Sequence, residues 1–494
     1  MITNTGHIAI ICVMLPLVVA VIGLLLQNRI AKYLTYFSTF SLIVLSVIMG
    51  IQITERGEVL YALGSWAKPL GIHIHIDGLA VLMLFVTSLL SFFLCLYSCD
   101  YFSKKRHMTK YFWPLCLFCI AGLNVLFLSH DLFNIYVAIE IISFSAISLV
   151  ALSATSRAVI AATQYFFLTI IGSLMYLLGV AFIYGAYGTL DLGLLAATIQ
   201  PELTPTLALT LMTIGLIIKA ALFPMHFWLP SAHANAPAPV SAILSGLVVM
   251  GSFYLLVRLW TETFSVIIVP GAGHLLGVLA AFAIIGGSVM ALLQDRLKMM
   301  LAYSTISQIG YMFLIFPLCN ADLHAQDFAW NGGVYLAASH AFAKGAAFMV
   351  AGIILFGMGK DRVKDCYGMA EKCPLAIFAF ALAGVSLMGL PPSGGFIGKW
   401  MLLKAALLSG QWIYAILIAF GSVLSAAYIF RIFEAFLHKP MKKDTVFVAP
   451  IRMQICALII AFVSILLGLA ANTPLDLLEI GSNLSIKMMK GIIL

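Results

Sequence analysis

Two lysines lie beside interrupted hydrophobic stretches, and they are the residues of this chain best placed to do chemistry. Lys219 precedes the run 223–230, Phe-Pro-Met-His-Phe-Trp-Leu-Pro, and Lys399 follows the run 389–395, Gly-Leu-Pro-Pro-Ser-Gly-Gly. A lysine in an apolar helix is costly, and a broken helix inside a bilayer is tolerated only within protein or beside water. Paired breaks in two halves of a membrane protein indicate a site of ion transport.

A glutamate joins the first lysine as a candidate switch. Glu140 lies in the middle of the apolar run 132–142, and Lys219 lies in the equally apolar run 213–220. Burial disfavours the charged form of each group, whereas a nearby opposite charge favours it. A Glu–Lys pair whose separation changes would therefore load and release a proton. A static ion pair, or a lysine that snorkels to the interface, is the alternative.

A histidine and a third lysine share one helix face. His340 and Lys344 are four residues apart, which places them on the same side of a helix. Because histidine titrates near neutral pH, this pair suits a proton relay. The alternative is a histidine that only packs and forms hydrogen bonds.

Further polar residues are supporting candidates. Next to the prolines of the first break, His226 and His233 either satisfy freed carbonyl groups or pass protons. Metal ligation is not expected there, because no carboxylate or thiolate lies nearby in the sequence. Ser307 and Gln308 belong to the polar segment 303–311, which either packs through small residues or forms a hydrated wall.

The composition is that of an integral membrane protein. Of 494 residues, 63% are hydrophobic and 9% are charged, compared with about 25% charged in soluble domains. The net charge of +8 comes from residues scattered over short loops, so no nucleic-acid binding is expected. Cys116 and Cys119 have the spacing of a metal pair, but their continuous apolar context favours packing.

The apolar segments predict an all-α polytopic protein with about fourteen transmembrane helices. A bilayer core of ~30 Å needs ~20 apolar residues for each helix. The predicted helices lie near 7–26, 32–53, 78–98, 111–129, 132–153, 161–186, 207–228, 240–260, 272–293, 300–318, 332–357, 375–408, 412–433 and 452–472. The loops 54–77 and 185–206 are long enough to hold short surface helices.

Basic residues concentrate on alternate loops, which predicts the orientation in the membrane. The richer set of loops contains Arg29, Lys32, Lys104, Lys105, Arg106, Lys110, Arg157, Arg296, Lys298, Lys360, Arg362, Lys364, Lys372, Lys439, Lys442 and Lys443. The opposite set contains Arg56, Lys68 and Arg258, with Lys487 and Lys490 in the tail. By the positive-inside rule the richer set is cytoplasmic and both termini face outward. A bacterial inner membrane is the expected location.

The spacing of the two breaks predicts internal repeats. The second lysine-bearing break lies five predicted helices further along the chain than the first, and an odd offset inverts the second unit in the membrane. The expected layout is helices 1–3 in 1–110, a first five-helix repeat in 111–260, a second in 261–435, and helix 14 with the tail in 436–494.

Four motifs together resemble the antiporter-like membrane subunits of respiratory complex I, membrane-bound hydrogenases and Mrp-type cation/proton antiporters. The motifs are Lys219 with Phe223–Pro239, the segment 297–311, Ser339–Lys344, and Gly389–Lys399. The resemblance implies two inverted five-helix repeats, each with one broken helix. It also implies a proton path through Glu140, Lys219, His340, Lys344 and Lys399. The chain looks most like the D-type Mrp subunit, with the M or N type of complex I next.

The resemblance also implies partners, and two other classes of function are weighed against it. The expected partners are other membrane subunits of one complex, the lipid bilayer and protons, with Na+ as a candidate second ion. No cofactor or metal is expected, and any redox chemistry of a quinone-reductase complex would belong to partner subunits. A membrane cytochrome would need more facing histidine pairs than the apolar segments contain. A purely structural scaffold is the third class of function.

One position departs from the pattern of the family. Several relatives carry a lysine in the eighth helix, where this chain has Met250. The first half of the path is therefore expected either to be bridged by water and Ser245 or to transfer protons poorly.

Overall fold

The computed structural model describes residues 2–103, 105–319, 323–438 and 449–482, and it is helical apart from one hairpin. The first helices are α1 (Ile2–Leu25), α2 (Asn28–Arg56), α3 (Gly78–Tyr101), α4 (Arg106–Leu128), α5 (Leu132–Val150), α6 (Ser156–Tyr187), α7 (Leu192–Thr198), α8 (Leu203–Ala220), α9 (Trp228–Asn235), α10 (Ala238–Ile243) and α11 (Val249–Arg258). The remaining helices are α12 (Pro270–Leu293), α13 (Leu297–Phe313), α14 (Ile315–Leu318), α15 (Leu323–Met358), α16 (Met369–Lys372), α17 (Pro374–Met388), α18 (Gly394–Leu408), α19 (Trp412–Leu437), α20 (Ile451–Leu469) and α21 (Asn472–Glu479). The strands are β1 (Val59–Ala62) and β2 (His73–Ile76).

Thirteen helices of the described ranges are long and apolar enough to cross a membrane. They match thirteen of the predicted segments, and one of them, Ala238–Thr263, joins α10, a π-helical turn, α11 and a second π-helical turn. The predicted twelfth segment, 375–408, is different because it divides into α17 and α18, which have 15 residues each. The all-α polytopic fold is confirmed, whereas the inverted repeats stay a prediction.

One face of the bundle, which we call the hairpin face, contains the loops around 57–77, 129–131 and 188–202. In the loop 57–77, β1 and β2 pair antiparallel, with Val59 opposite Ile76. Alternating β-branched residues such as Ile74 and Ile76 favour a strand that buries them against the bundle. The loop also holds a short 3-10 helix, Leu63–Ser65, as its length allowed. The loop 188–202 does hold a short helix, α7.

The opposite face, the basic-loop face, contains the loops near residues 27, 105, 155, 295 and 360–373, where the described basic residues of the richer set lie. Lys104, Lys439, Lys442, Lys443, Lys487 and Lys490 lie outside the described residues. Which face is cytoplasmic stays a prediction from the charge asymmetry.

Close helix crossings position the first lysine. A Cβ atom added to Gly172 of α6 would lie 2.8 Å from the carbonyl oxygen of Gly215 in α8. Small residues let membrane helices approach this closely. Lys219 follows Gly215 by one turn of α8. This crossing therefore holds the Lys219 side chain against α6 and the helices that pack on α6.

At both lysine-bearing breaks, the helix stops at a residue with a left-handed backbone conformation. Helix α8 ends at Ala221, whose φ is +54°, and the indole of Trp228 donates to the carbonyl oxygen of Ile218 at 2.9 Å. Helix α17 ends at Gly389 with φ +80°. The 36-residue helix α15 packs against α10 from the first half and against α17 and α18 from the second, so it joins the two breaks.

We expect Gly172→Ala to destabilise the protein by about 1–3 kcal/mol, because the new methyl group overlaps a backbone oxygen that cannot move freely. The measurement is the thermal unfolding midpoint of the purified complex in detergent. Gly185→Ala in the same helix is the matched control, since nothing lies within 4 Å of its added Cβ atom. Equal midpoints for both variants would contradict a tight α6–α8 crossing.

Candidate functional site

The structure brings Glu140 of α5 and Lys219 of α8 together in the N-terminal half of the bundle, called the first half below. The Nζ atom of Lys219 lies 4.0 Å from Oε1 of Glu140, and the two side chains are 6% and 20% exposed. Ser173 donates a hydrogen bond to Glu140, and Lys219 donates to Oγ of Ser143 at 2.8 Å. The charges are therefore close but not locked in a direct short ion pair, and each has a hydroxyl partner of its own.

A small cavity of about 20 Å³ adjoins the Lys219 side chain. Its lining includes Ser143, Thr169 and Ser252. The Thr169 hydroxyl is buried and has no hydrogen-bond partner within the described ranges. A polar cavity of this size has room for a single water molecule. Lys219 therefore has space for one water molecule beside it as well as a nearby carboxylate.

In the centre of the bundle, Lys344 and His340 lie one turn apart on α15 and are buried. The amine of Lys344 donates to the carbonyl oxygen of Leu301 at 2.9 Å and to the hydroxyl of Ser304. Neither ring nitrogen of His340 has a hydrogen-bond partner among the described residues. The ring lies within electrostatic reach of both Lys344 and Lys399. His340 and Lys344 therefore share one face of α15 inside the bundle, as their spacing predicted.

The second break supplies the ligands of Lys399. Its amine donates to the carbonyl oxygens of Leu387 at 3.0 Å and Met388 at 3.2 Å, and it lies 4.1 Å from the ring centroid of Tyr311. These carbonyl groups end α17, where the helix dipole is negative and favours a cation. The break thus binds the ammonium form of Lys399 without a carboxylate.

Helix α13 connects the central lysine with the second break. Ser304 contacts Lys344, and four residues later Gln308 donates to the carbonyl oxygen of Leu387 at 3.0 Å, which Lys399 also uses. Ser307 instead bonds to Ser288 of α12 at 2.8 Å. Ser307 therefore joins helices, as the packing interpretation predicted, whereas Gln308 faces the second break and the hydrated wall stays a prediction.

This geometry agrees with the comparisons of the chain with known proteins. Residues 129–425 match the family described as "NADH:quinone oxidoreductase/Mrp antiporter, TM", and residues 67–112 match "NADH-Ubiquinone oxidoreductase (complex I), chain 5 N-terminus". The chain belongs to the NADH:quinone oxidoreductase/Mrp antiporter family. The resemblance that the sequence motifs suggested is confirmed, and the protein is an integral membrane protein.

Relatives from two branches of the family cover most of the chain. The N-type subunit of the NADH-quinone oxidoreductase of Desulforudis audaxviator is 34% identical over 439 residues, which cover 87% of this chain and 86% of that protein. The D-type subunit of the Na(+)/H(+) antiporter of Alkalihalophilus pseudofirmus is 28% identical over 435 residues, with the same coverage of 87% and 86%. A chain of the Mrp complex from a Dietzia species has the same fold, with a TM-score of 0.88, 24% identity, and coverage of 98% of this chain and 99% of that one.

The departure at Met250 has a structural consequence in this family member. Met250 is buried, and the residues of its helix that line the Lys219 cavity are Val248, Gly251 and Ser252. Ser245 lies in the π-helical turn Leu244–Val248 and shares a hydrogen bond of 2.8 Å with the hydroxyl of Thr305. At Ser245 the first half therefore contacts α13 through a pair of hydroxyl groups.

The two histidines of the first break have different surroundings. His226 stacks between Phe223 and Phe227, at ring distances of 5.5 and 5.3 Å, on a side of the break where Phe227 is 64% exposed. His233 is fully buried, stacks on Phe348 at 4.9 Å, and has no hydrogen-bond partner among the described residues. Only His233 lies close to other buried charges, those of Lys298 and Lys344.

Two basic residues contact the first break, although the sequence indicated only their place on a basic loop. Lys298 is 1% exposed and donates to the carbonyl oxygen of Ala236. Arg296 donates to the carbonyl oxygen of Ala234 at 3.3 Å and pairs with Asp361 at 3.1 Å. They bind carbonyl groups at the end of α9. The proline-rich run marks these carbonyl groups as available, but no local signal in the sequence shows which cation binds them.

Within the described ranges, no group of three or more His, Cys, Asp or Glu side chains is arranged to hold a metal ion. Cys116 and Cys119 are buried in α4, as the packing interpretation predicted.

We expect Gly389→Ala to lower the unfolding midpoint more than Gly410→Ala. Both glycines have positive φ, at +80° and +67°, so an added side chain strains each by about 1–2 kcal/mol. At Gly389 the new Cβ atom would also lie 2.6 Å from Cδ of Lys399, whereas nothing lies within 4 Å at Gly410. The measurement is thermal unfolding of the purified complex. Equal losses would show that Lys399 does not fold back under the break.

Proposed function

We propose that this chain is a proton-translocating, antiporter-like subunit of a multisubunit membrane complex. The observation that carries the proposal is the row of buried ionisable groups Glu140, Lys219, His340, Lys344 and Lys399. The Ser173 hydroxyl donates to the carboxylate, and hydroxyl or carbonyl oxygens accept from the three amines. Groups of this kind are expensive inside a membrane and mark ion pathways and proton relays. A packing role alone would not require amines in both halves and in the centre.

Glu140 and Lys219 act as the loading switch. At 4.0 Å each charge stabilises the other, and a movement apart weakens that stabilisation for both. Lys219 then releases its proton to the small cavity, while its amine keeps the hydrogen bond to Ser143. The separation of this pair therefore sets when a proton moves toward the centre.

The central pair and the second break complete the path. His340 accepts and passes on a proton between the amines of Lys344 and Lys399. Because like charges disfavour each other, protonation of Lys344 promotes release from the next site along the row. Carbonyl oxygens hold the ammonium forms but cannot relay a proton, so hydroxyl groups such as Ser304 and intervening water carry the transfers.

The family relatives favour an ion-exchange function for the complex, with protons and Na+ as the ions, and other membrane subunits of that complex as partners. The relative of 28% identity is named for Na(+)/H(+) antiport. A proton-pumping subunit of an NADH:quinone oxidoreductase is the second candidate, favoured by the 34% identity to an N-type subunit. Vesicles that exchange Na+ for protons without NADH would support the first candidate, and proton pumping that requires NADH would support the second.

The orientation and the repeats belong to the same proposal. The basic-loop face is cytoplasmic in a bacterial inner membrane, and both termini face outward. The units 111–260 and 261–435 are inverted repeats, and each contains one interrupted helix with its lysine. This arrangement would open the first half toward one side of the membrane and the second half toward the other.

We expect Lys219→Ala to abolish proton movement by the assembled complex, because it removes the amine that carries the proton. Acidification or alkalinisation of inverted vesicles, followed with a pH-sensitive dye, measures the transport. Lys404→Ala is the matched control, since Lys404 is an exposed lysine of α18 that lies over the ring of Phe328 at 3.8 Å. Normal exchange by an assembled Lys219→Ala complex would overturn the role of this lysine.

Glu140→Gln tests the switch separately. The amide keeps the size of the side chain and can still accept the hydrogen bond from Ser173, but it cannot change charge. We expect slower transport and a changed dependence of the rate on pH, because the Lys219 amine loses its variable partner. The pH profile of vesicle exchange is the readout, and a profile identical to that of the wild type would exclude the charge switch.

A further inference from the structure

The hairpin face contains a second group of buried charges, separate from the row described above. We call it the hairpin-face cluster: His75, Asp77, His130, Arg258 and Glu262. Arg258 pairs with Asp77 at 2.5 Å and with Glu262 at 2.8 Å, and the side chains of Arg258 and Asp77 are almost fully buried. Asp77 also caps α3 by accepting from the backbone of Ala80 at 2.9 Å.

The histidines connect this cluster with the surface. His75 bonds to Glu58 at 2.8 Å, and the Glu58 side chain is 41% exposed. Burial opposes the charged form of His75, but Asp77 and Glu58 outweigh it and raise the pKa of this histidine. The ring of His130 lies 5.0 Å from that of His75, and burial together with the His75 charge lowers the pKa of His130 to about 3. His130 is therefore neutral, with one nitrogen to donate and one to accept.

A second ion pair lies near His130, in addition to the pairs formed by Arg258. Lys68 pairs with Asp191 at 2.7 Å, and His73 lies 3.5 Å from the same carboxylate. Asp191 and Lys68 both act electrostatically on His130. The charged groups around His130 thus come from the hairpin, from α11 and its π-helical end, and from the loop before α7.

A cavity of about 10 Å³ lies inside the cluster, close to the smallest space that holds one water molecule. His75, His130, Glu262 and Leu126 are among the residues that line it. Leu126 also lines the cavity beside Lys219. The two cavities therefore share the side chain of Leu126 as part of their walls.

The positions of the lining residues along α11 show that the Lys219 cavity and the cluster cavity are close together. On α11, Gly251 lines the Lys219 cavity and Leu255 lines the cluster cavity, so the two are about one helical turn, ~6 Å, apart. Leu126 fills this space because Gly251 has no side chain: an added Cβ atom would lie 2.9 Å from Cδ2 of Leu126. Leu123 approaches the same glycine, at 3.1 Å, but lines neither cavity.

We propose that Leu126 is a hydrophobic seal between Lys219 and a proton-accepting site on the hairpin face formed by His130, His75 and Glu58. An apolar constriction of this kind stops conduction by excluding water. While the seal is closed, a proton on Lys219 can leave only toward Glu140 or the centre of the bundle. When water passes Leu126, the charged ring of His75 releases its proton through Glu58 to the solvent, and the neutral ring of His130 then takes a proton at one nitrogen as it passes the proton of its other nitrogen to His75. This inference rests on the proposed role of Lys219 as a proton carrier.

Leu126→Ser tests the seal in the assembled complex. A polar, smaller side chain should let water bridge the two cavities, so we expect an imposed pH gradient across vesicles to collapse several-fold faster. The leak is measured without Na+ or any substrate, so it does not depend on coupled transport. Leu123→Ser is the matched control and should leave the gradient at the wild-type decay rate. If Leu126→Ser does not assemble, Leu126→Ala should show a smaller leak in the same direction.

Double variants identify the route of the leak. Adding Lys219→Ala or His130→Phe to Leu126→Ser should return the leak toward the wild-type rate, because each removes a proton carrier on one side of the seal. Wild-type decay in both Leu126 variants, or equal leaks from the Leu126 and Leu123 variants, would overturn the proposal. A leak that persists without Lys219 would also overturn it. These outcomes differ from failure of the proposed function, which Lys219→Ala alone reports through coupled exchange.

Discussion

The structure depends on one constraint: an amine buried in a membrane bundle must be surrounded by oxygen atoms. The charged amine loses its hydration when it is buried, and only hydrogen bonds and opposite charges replace it. Lys399 takes its oxygens from the end of α17, and Lys298 takes one from the end of α9. Helix breaks supply these carbonyl groups, because a continuous helix uses them internally. At Lys399 and Lys298 the break and the lysine are therefore parts of one arrangement, whereas Lys219 relies on Ser143 and Glu140 for its oxygen atoms.

Helix α15 fixes the two halves of the bundle relative to each other, because glycines of both halves pack directly against its backbone. A Cβ atom added to Gly246 would lie 3.0 Å from the carbonyl oxygen of Ala341, and one added to Gly398 would lie 2.7 Å from Cβ of Leu336. Each glycine is adjacent in sequence to a residue of the path, Ser245 in the first half and Lys399 in the second. Because densely packed contacts of this kind have few alternative arrangements, His340 keeps a defined position between the two halves.

The features that the sequence predicted well depend on residue types and on spacings within a single helix or loop. The breaks beside Lys219 and Lys399 and the shared face of His340 and Lys344 needed only apolar runs, prolines, glycines and helical periodicity. Long-range partners could not be predicted in this way: the Ser143 hydroxyl is 76 residues from Lys219, and Ala236 is 62 residues from Lys298. The same limit explains the hairpin, whose strands are stabilised by contact with the bundle rather than by strand propensity alone.

The two ends of the row differ in what holds the amine, and this difference assigns them different tasks. Lys219 has a carboxylate at 4.0 Å, whose attraction disappears when Glu140 is protonated or moves. Lys399 has the carbonyl dipoles of α17 and the face of Tyr311, which carry no titratable charge in the physiological range. The stabilisation of a proton on Lys219 can therefore be switched, whereas that on Lys399 changes only if the break itself moves. In the proposed path, this asymmetry would place loading at Glu140 and Lys219 and release at the break beside Lys399.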